Sequence, residues 1–232
     1  TYDALDGLNL LGAGIPNRNS VVNFLKNNQK ADGGFSSSAL DFDTSLVSTY
    51  FSVLSLKILN EPLNPSAQNY LLSNLKNDLG FGKFPGDDSR IRHTYDAVLA
   101  LNAIGDRPLD TSGVIAYIES FKNLNGGYGL PNPNIDDTFR AVFSLQALGT
   151  EIKNKSAIIR FVKDSQNPDG GFGIRPNTPS RTATTFRAIK LLELFGESPK
   201  DKGNAIGFIR SLQNPDGGFG TFQGDTSDVT ST

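Results

Sequence analysis

Hydrophobic positions recur along this chain with a helical period, in two alternating kinds of segment. In the first kind only one face is apolar, as at Val21, Phe24 and Leu25, at Val114, Tyr117, Ile118 and Phe121, and at Ile158, Phe161 and Val162. Ala205, Phe208, Ile209 and Leu212 repeat the pattern. Steps of three and four put each set on one stripe with polar residues around it, which predicts helices covering a surface. The second kind has no broad polar face: Val98, Leu99, Leu101 and Ile104 are one example, and Ala141, Val142, Phe143, Leu145 and Leu148 another. A helix apolar nearly all round packs on both sides. The alternation therefore predicts two layers, with the second kind inside. Outer helices are expected over 20–30, 66–77, 111–122, 156–166 and 202–213. Inner helices are expected to begin within a few residues of Thr1, Thr49, Thr94, Thr138 and Thr185.

The two kinds are tied together by a recurring phrase. Asp32-Gly-Gly-Phe35, Asp78-Leu-Gly-Phe81, Asn125-Gly-Gly-Tyr128, Asp169-Gly-Gly-Phe172 and Asp216-Gly-Gly-Phe219 start 46, 47, 44 and 47 residues apart. Two copies are identical over eight letters, "QNPDGGFG" at Gln166–Gly173 and Gln213–Gly220. A second phrase keeps the same beat: "TYDALDGLNLLG", "TYFSVLSLKIL", "TYDAVLALNAIG", "TFRAVFSLQALG" and "TFRAIKLLELFG". Such a period means stacked units that share a core. The glycine is expected to end the outer helix with a left-handed residue. The aromatic is expected to plug the seam between neighbouring units, and the Gln side chain to bond the loop backbone. That chemistry is scaffolding. Function is sought instead in the variable loops 36–48, 83–93, 130–137, 174–184 and 221–231, which the repeat gathers at the N-termini of the inner helices.

Composition narrows the classes. The 232 residues can bury one substantial core. There is no cysteine, so neither disulfides nor thiolate metal sites contribute, and either redox compartment is compatible. The formal charge of −2 argues against a nucleic-acid partner. No apolar run is long enough for a membrane span. The chain also lacks methionine, which reads as a mature form or an excerpt of something longer.

The wording Q-x-x-D-G-G-F-G followed by a Thr-aromatic helix resembles the repeat of the prenyltransferase and squalene-cyclase superfamily, found in protein prenyltransferase β subunits and class II terpene cyclases. "DGGFGIRPNTPSRTATTF" is the stretch most similar to the prenyltransferase β subunits. The resemblance covers the whole chain. It implies an all-α fold, an α/α toroid or double-layered helical barrel, built here as one domain over 1–232 from five helical hairpins. It also implies a funnel-shaped apolar cavity for an isoprenoid chain, opening at the rim of variable loops.

Three family sites are carried over residue by residue. The zinc ligands of protein prenyltransferases are an Asp and a Cys two apart, plus a His. "DVTS" makes Asp228 resemble the Asp, but Thr230 stands at the Cys position, and "HTY" makes His93 resemble the His. No zinc is expected, because threonine is not a thiolate. The acid motif of class II cyclases resembles "NIDDT", with Asn134 for its first Asp, so that Asp136 would be the proton donor and Asp137 its neighbour. Paired carboxylates can keep one proton between them. The same two residues equally suit the first turn of a helix, where the macrodipole favours acids. Arg181 falls where the prenyltransferases place a diphosphate-binding residue, and Tyr50, Tyr95, Phe139 and Phe186 fall on the cavity side of the inner helices. The recurrence of Thr-aromatic in every unit gives those aromatics a packing reading as well.

The rim holds eight aspartates, Asp41, Asp43, Asp87, Asp88, Asp136, Asp137, Asp225 and Asp228, against Lys83, Arg90, Arg92, Arg175 and Arg181. Such a mouth repels a free diphosphate unless cations intervene. No cofactor is expected, and a metal, if bound, would be a hard cation such as calcium or magnesium at this acidic rim. Two functions follow. The first is an isoprenoid-handling domain with an apolar small molecule as partner and its zinc chemistry lost, acting, if enzymatic, as a transferase or a class II-type cyclase. The second is a non-catalytic toroid serving as a protein- or ligand-binding module, for instance at a cell surface. Repeat arrays leave apolar flanks on their end units, so a partner subunit or adjoining domain is expected too.

Overall fold

The computed structural model describes residues 1–227, which contain ten helices. They are α1 (Tyr2–Leu10), α2 (Arg18–Asn27), α3 (Leu46–Ile58), α4 (Pro65–Ser73), α5 (Ile91–Ala103), α6 (Thr111–Glu119), α7 (Ile135–Ala147), α8 (Lys155–Asp164), α9 (Thr182–Leu194) and α10 (Lys202–Ser211). Extended structure among the described residues is limited to isolated bridges. The chain forms two compact units, one of Thr1–Ile118 with Ser144–Thr150, the other of Glu119–Phe143 with the chain from Glu151 onward.

In the first unit α1, α3 and α5 pack side by side, α2 lies on α3, and α4 lies on both α3 and α5. The odd-numbered helices are thus the inner layer. Helix α3 shows why: Leu46, Thr49, Tyr50, Val53 and Leu56 are all buried, with no polar face broad enough for water. In the second unit α8 packs on α9. There α8 buries Ile158, Phe161 and Val162, its apolar stripe, while α9 buries Thr184, Thr185, Ala188, Leu191 and Leu192.

The outer helices stop earlier than the pattern predicts. Each is left two to four residues short of its expected end because the residue at the Gln position leaves the helix to face the aromatic: Gln29 bridges Phe35, Leu75 Phe81, Lys122 Tyr128, Gln166 Phe172 and Gln213 Phe219. The glycine therefore does not end the helix. The residues after α2, α4, α8 and α10 keep right-handed backbone, and positive φ appears only later, at 91° for Gly33 and 88° for Gly170, in the turn that closes the bridge. The Gln amide does bond the loop, donating to the carbonyl of Gly33, Gly170 or Gly217 at 3.0–3.1 Å. Within the turn, the acid accepts from the second glycine's N–H, as from Gly34 to Asp32 and from Gly171 to Asp169.

Helices α3, α5, α7 and α9 begin three residues ahead of the recurring threonine, within the few residues expected, because that residue is needed inside; α1 begins one residue after Thr1. The backbone N–H of Phe35, Phe81, Tyr128 and Phe172 donates to Oγ1 of Thr49, Thr94, Thr138 and Thr185, respectively, at 2.9–3.0 Å, all buried. For the first three, the hydroxyl in turn donates to the carbonyl four residues back, at Ser45, Arg90 and Asn134. The aromatics themselves are fully buried seam plugs.

One phrase departs from the rest. Leu79 replaces the first glycine and still holds a positive φ of 67°. Its side chain lies over Gly113 of α6, occupying the place where a Cβ on that glycine would point. A leucine in one unit is matched by a missing side chain in the next.

The threonine link can be measured. Thr185→Val keeps the shape but leaves the Phe172 N–H buried without an acceptor, which costs about 1–3 kcal/mol. Urea denaturation should show a lower midpoint with an unchanged slope, and Thr185→Ser should recover most of the loss. A valine variant as stable as the parent would show that this bond holds nothing.

Candidate functional site

The rim is built by a second set of backbone bonds. Two residues past the aromatic, the loop carbonyl accepts from the first residue of an inner helix: Leu46 donates to Lys83, Ile135 to Ile174 and Thr182 to Thr221, at 2.8–3.2 Å. A helix start leaves several N–H groups for a cap or an anion. Here one of them is taken by the neighbouring loop.

In the first unit the inner helices present a row of aromatic rings. Tyr50 and Tyr95 stand with centroids 6.1 Å apart, Tyr50 and Phe51 4.9 Å, and Tyr2 lies 5.6 Å from Phe51 and 6.4 Å from Tyr50. The spacing and tilts suit edge-to-face contact. Burial pushes the Tyr2 phenol up to about 12, with the negative charge of Asp6 adding to it. Burial also drives Tyr50 far above the ordinary phenol range, helped by Tyr95 beside it. Next to the row on α5 sits Asp96, only 6 % exposed. Its Oδ2 and the Nδ1 of His93 are buried without hydrogen-bond partners, 3.8 Å apart and too far for a bond between them. His93 also reaches a rim cleft of about 610 Å³ that it shares with Arg92, Lys83, Asp41, Asp43 and Phe42. Hydrogen bonds from Ser37 and then Ser38 hold the Asp41 carboxyl below its usual range.

In the second unit Asp136 and Asp137 do not face each other as a carboxyl pair. Asp136 accepts from Arg187 of α9 at 2.8 Å, and Asp137 from Arg140, one turn on, at 3.0 Å. Asn134 locks the helix start: its Oδ1 accepts from the Asp137 N–H and its Nδ2 donates to the Asp137 carboxylate, each at 2.8 Å. The first bond caps one orphan N–H of the helix start, and the second ties the two side chains together. Arg181 is exposed and lies over the Phe222 ring, 5.2 Å from its centroid. Phe139 stacks on Phe143 at 4.4 Å, and Phe186 is 58 % exposed on α9.

Of the residues picked from the sequence, the structure brings together Tyr50 and Tyr95. It leads Asp136, Asp137 and Arg181 each to a different partner. Asp228 and Thr230 lie outside the described residues. Among the described residues no three His, Cys, Asp or Glu side chains gather into a set that could hold a metal, and the chain as a whole has no cysteine. The donors present do not fit a Cys-containing zinc site. No helix in the described residues is long and apolar enough to cross a membrane.

Sequence reasoning missed Tyr2, Phe51, Asp96, Arg140 and Arg187. A signal was available. All but Tyr2 are the third letter of the "TYD", "TYF" and "TFR" phrases, a column that changes from Asp to Phe to Arg while the residue before it is always aromatic. A packing position does not vary in that way.

These helices, phrases and rim loops define a helical-repeat protein, and the comparisons place its family. The model of the prenyltransferase alpha-alpha toroid domain matches residues 1–134, 64–206 and 137–232, and the chain belongs to that family. Among solved structures, protein geranylgeranyltransferase-I from Candida albicans, complexed with GGPP, is similar with a TM-score of 0.75 and 20 % identity, over 100 % of this chain and 75 % of that one. The type II terpene cyclase MstE from Scytonema gives a TM-score of 0.62 and 15 % identity, over 84 % of this chain and 62 % of its own. A variant of that cyclase in complex with geranylgeranyl dihydroxybenzoate gives the same TM-score at 14 % identity, again over 84 % of this chain and 62 % of its own. No curated protein matches the chain in sequence.

The tyrosine row has a signature in alkaline solution. Tyr2, raised from 10.0 to about 12, stays protonated in the folded chain over a range where the unfolded chain ionises. The folded state then binds more protons, so its stability is complete below pH 10 and falls as pH rises towards 12. Tyrosinate absorbance should show a late step whose amplitude Tyr2→Phe lowers by one tyrosine. Ionisation of all tyrosines in one ordinary step, with the helices intact, would contradict this.

Proposed function

We propose that the chain binds an apolar, isoprenoid-like chain along the aromatic row of its inner helices and does so without zinc. The observation that carries this reading is the row itself: four rings from α1, α3 and α5, with 4.9–6.4 Å between the neighbouring centroids, where packing alone would be served by aliphatic residues. Aromatic faces suit a polyunsaturated chain, which offers π-density and methyl groups along its length. The half-exposed Phe186, with the Phe139–Phe143 pair, gives the second unit an apolar surface of the same character. Two of the similar structures carry geranylgeranyl compounds, which supports the class of ligand.

In this reading Asp136 and Asp137 are positioning residues. A carboxylate that pairs with its own guanidinium anchors a helix start, and the two ion pairs hold α7 to α9 and to its own next turn. That arrangement favours a binding module over an acid catalyst. Arg181 is an exposed cation at the start of α9 in the second unit, where it lies against Phe222.

Equilibrium binding of geranylgeraniol and of geranylgeranyl diphosphate tests the proposal. Both should bind, with or without a chelator. Tyr50→Ala and Tyr95→Ala should each weaken both ligands roughly three- to tenfold, the worth of one aromatic contact. Asp136→Asn should leave both within about twofold because a partly exposed ion pair contributes little. Binding that vanishes with the chelator, or that ignores both tyrosine substitutions, would defeat it.

A further inference from the structure

One charged residue of the variable column is left without a bond. In α3, α5, α7 and α9 the residue that follows the Thr-aromatic pair is Phe51, Asp96, Arg140 or Arg187. The two arginines meet carboxylates, Arg140 that of Asp137 at 3.0 Å and Arg187 that of Asp136 at 2.8 Å. Asp96 is the buried one of the three charged members, 6 % exposed, and its Oδ2 is enclosed without a hydrogen-bond donor. Facing it at 3.8 Å is Nδ1 of His93, one turn earlier on α5, equally enclosed and unbonded. A carboxylate oxygen only accepts, and burying one without a donor is destabilising.

The pair stands between the rim and the aromatic row. His93 lines the rim cleft of about 610 Å³ together with Phe42, Val47, Lys83 and Phe84. Asp96 lies close enough to Tyr50 that, after burial and the neighbouring Tyr95 and Tyr2, its negative charge helps drive that phenol upward. One turn of α5 thus joins the cleft to the row. Two polar atoms 3.8 Å apart can both lie within hydrogen-bond length of a single oxygen set between them. Such an oxygen donates to the carboxylate and accepts from the imidazole N–H when Nδ1 carries the proton. A hydroxyl does both. An ionised diphosphate offers no proton and brings like charge to an enclosed carboxylate.

We infer that the ligand of the aromatic row carries a hydroxyl head, donating to Oδ2 of Asp96 and accepting from Nδ1 of His93, and that Asp96 selects an isoprenoid alcohol over its diphosphate. Selection of this kind rests on the row's binding the chain, as proposed above, and fixes which end group the chain bears and where that end lies. The head is held at the rim end of the row. Both polar atoms are closed to water, so the hydroxyl reaches them as Tyr50 and Tyr95 part for the chain.

Equilibrium binding of three probes with one chain and different heads reads the selection: geranylgeraniol, its methyl ether and geranylgeranyl diphosphate. The ether keeps the oxygen but has no proton to donate. The alcohol should bind about tenfold or more tightly than either, the effect of one hydrogen bond to a charged group. Asp96→Leu, which removes the acceptor, should bring alcohol and ether within about twofold of each other while the ether itself is unchanged. Asp96→Asn, which removes only the charge, should tighten the diphosphate roughly threefold or more. Circular dichroism checks the fold of each variant, and the parent's ranking of the three probes needs no variant at all. Equal binding of alcohol and ether by the parent, as when a trapped water satisfies the pair, would overturn the inference. So would an alcohol preference that survives Asp96→Leu, or an Asp96→Asn variant in which all three probes weaken together. Ether binding indifferent to Tyr50→Ala counts against the row itself, whereas tyrosine-dependent binding without head discrimination counts against the hydroxyl site alone. Failure of every probe to bind removes both.

Discussion

A backbone amide buried beside an aromatic ring must find an acceptor, and among the described residues a threonine hydroxyl supplies it four times. Left alone, each such N–H would cost about 1–3 kcal/mol. The threonine is suited because its hydroxyl can accept from the amide and donate to its own helix at once, as Thr49 does to Ser45. The bond pins the end of one hairpin to the inside of the next inner helix. The chain between the two partners is then free to vary, and the partners stand 14, 13, 10 and 13 positions apart in successive units. A fixed anchor and a free loop from one interaction explain why the rim differs from unit to unit while the helices below it do not.

Much of this was legible in the letters. The two kinds of amphipathic pattern place the ten described helices and sort those of the first unit into layers, because burial on one or two sides leaves a direct trace in hydrophobic spacing. The Gln amide on the loop carbonyl was legible too, since its partner is local. The glycine was misplaced: helix ends are decided by competition with the bridge between Gln29 and Phe35, a tertiary choice that no local propensity records. The starts of the inner helices fall within three residues of the recurring threonines, as expected, with Ser45 and Asn134 capping so that the threonine turns inward.

Site residues were harder to read, and the reason is physical. A family motif reports a position, but the chemistry depends on what faces it. Asp136 and Asp137 occupy the motif's place and meet Arg187 and Arg140, which no pattern along one helix could reveal. Asp96 is the reverse case, a buried acid outside any motif. It sits in the column that also supplies Phe51, Arg140 and Arg187, so the inner helices are diversified at that column while the neighbouring threonine and aromatic are retained.

Leu79 and Gly113 carry that individuality into assembly. If every unit were interchangeable, a chain of near-identical hairpins could pair out of order, skip a unit, or exchange one with another molecule. A leucine that demands a glycine beneath it makes one junction a keyed joint. Set on the seats that the other units offer, at Ser66, Ala157 or Asn204, the same leucine would strike backbone that glycine barely clears. A duplication, deletion or reshuffling of hairpins would break the key unless both halves travelled together. One pair of side chains, one large and one absent, thereby gives a periodic molecule an address along its own length.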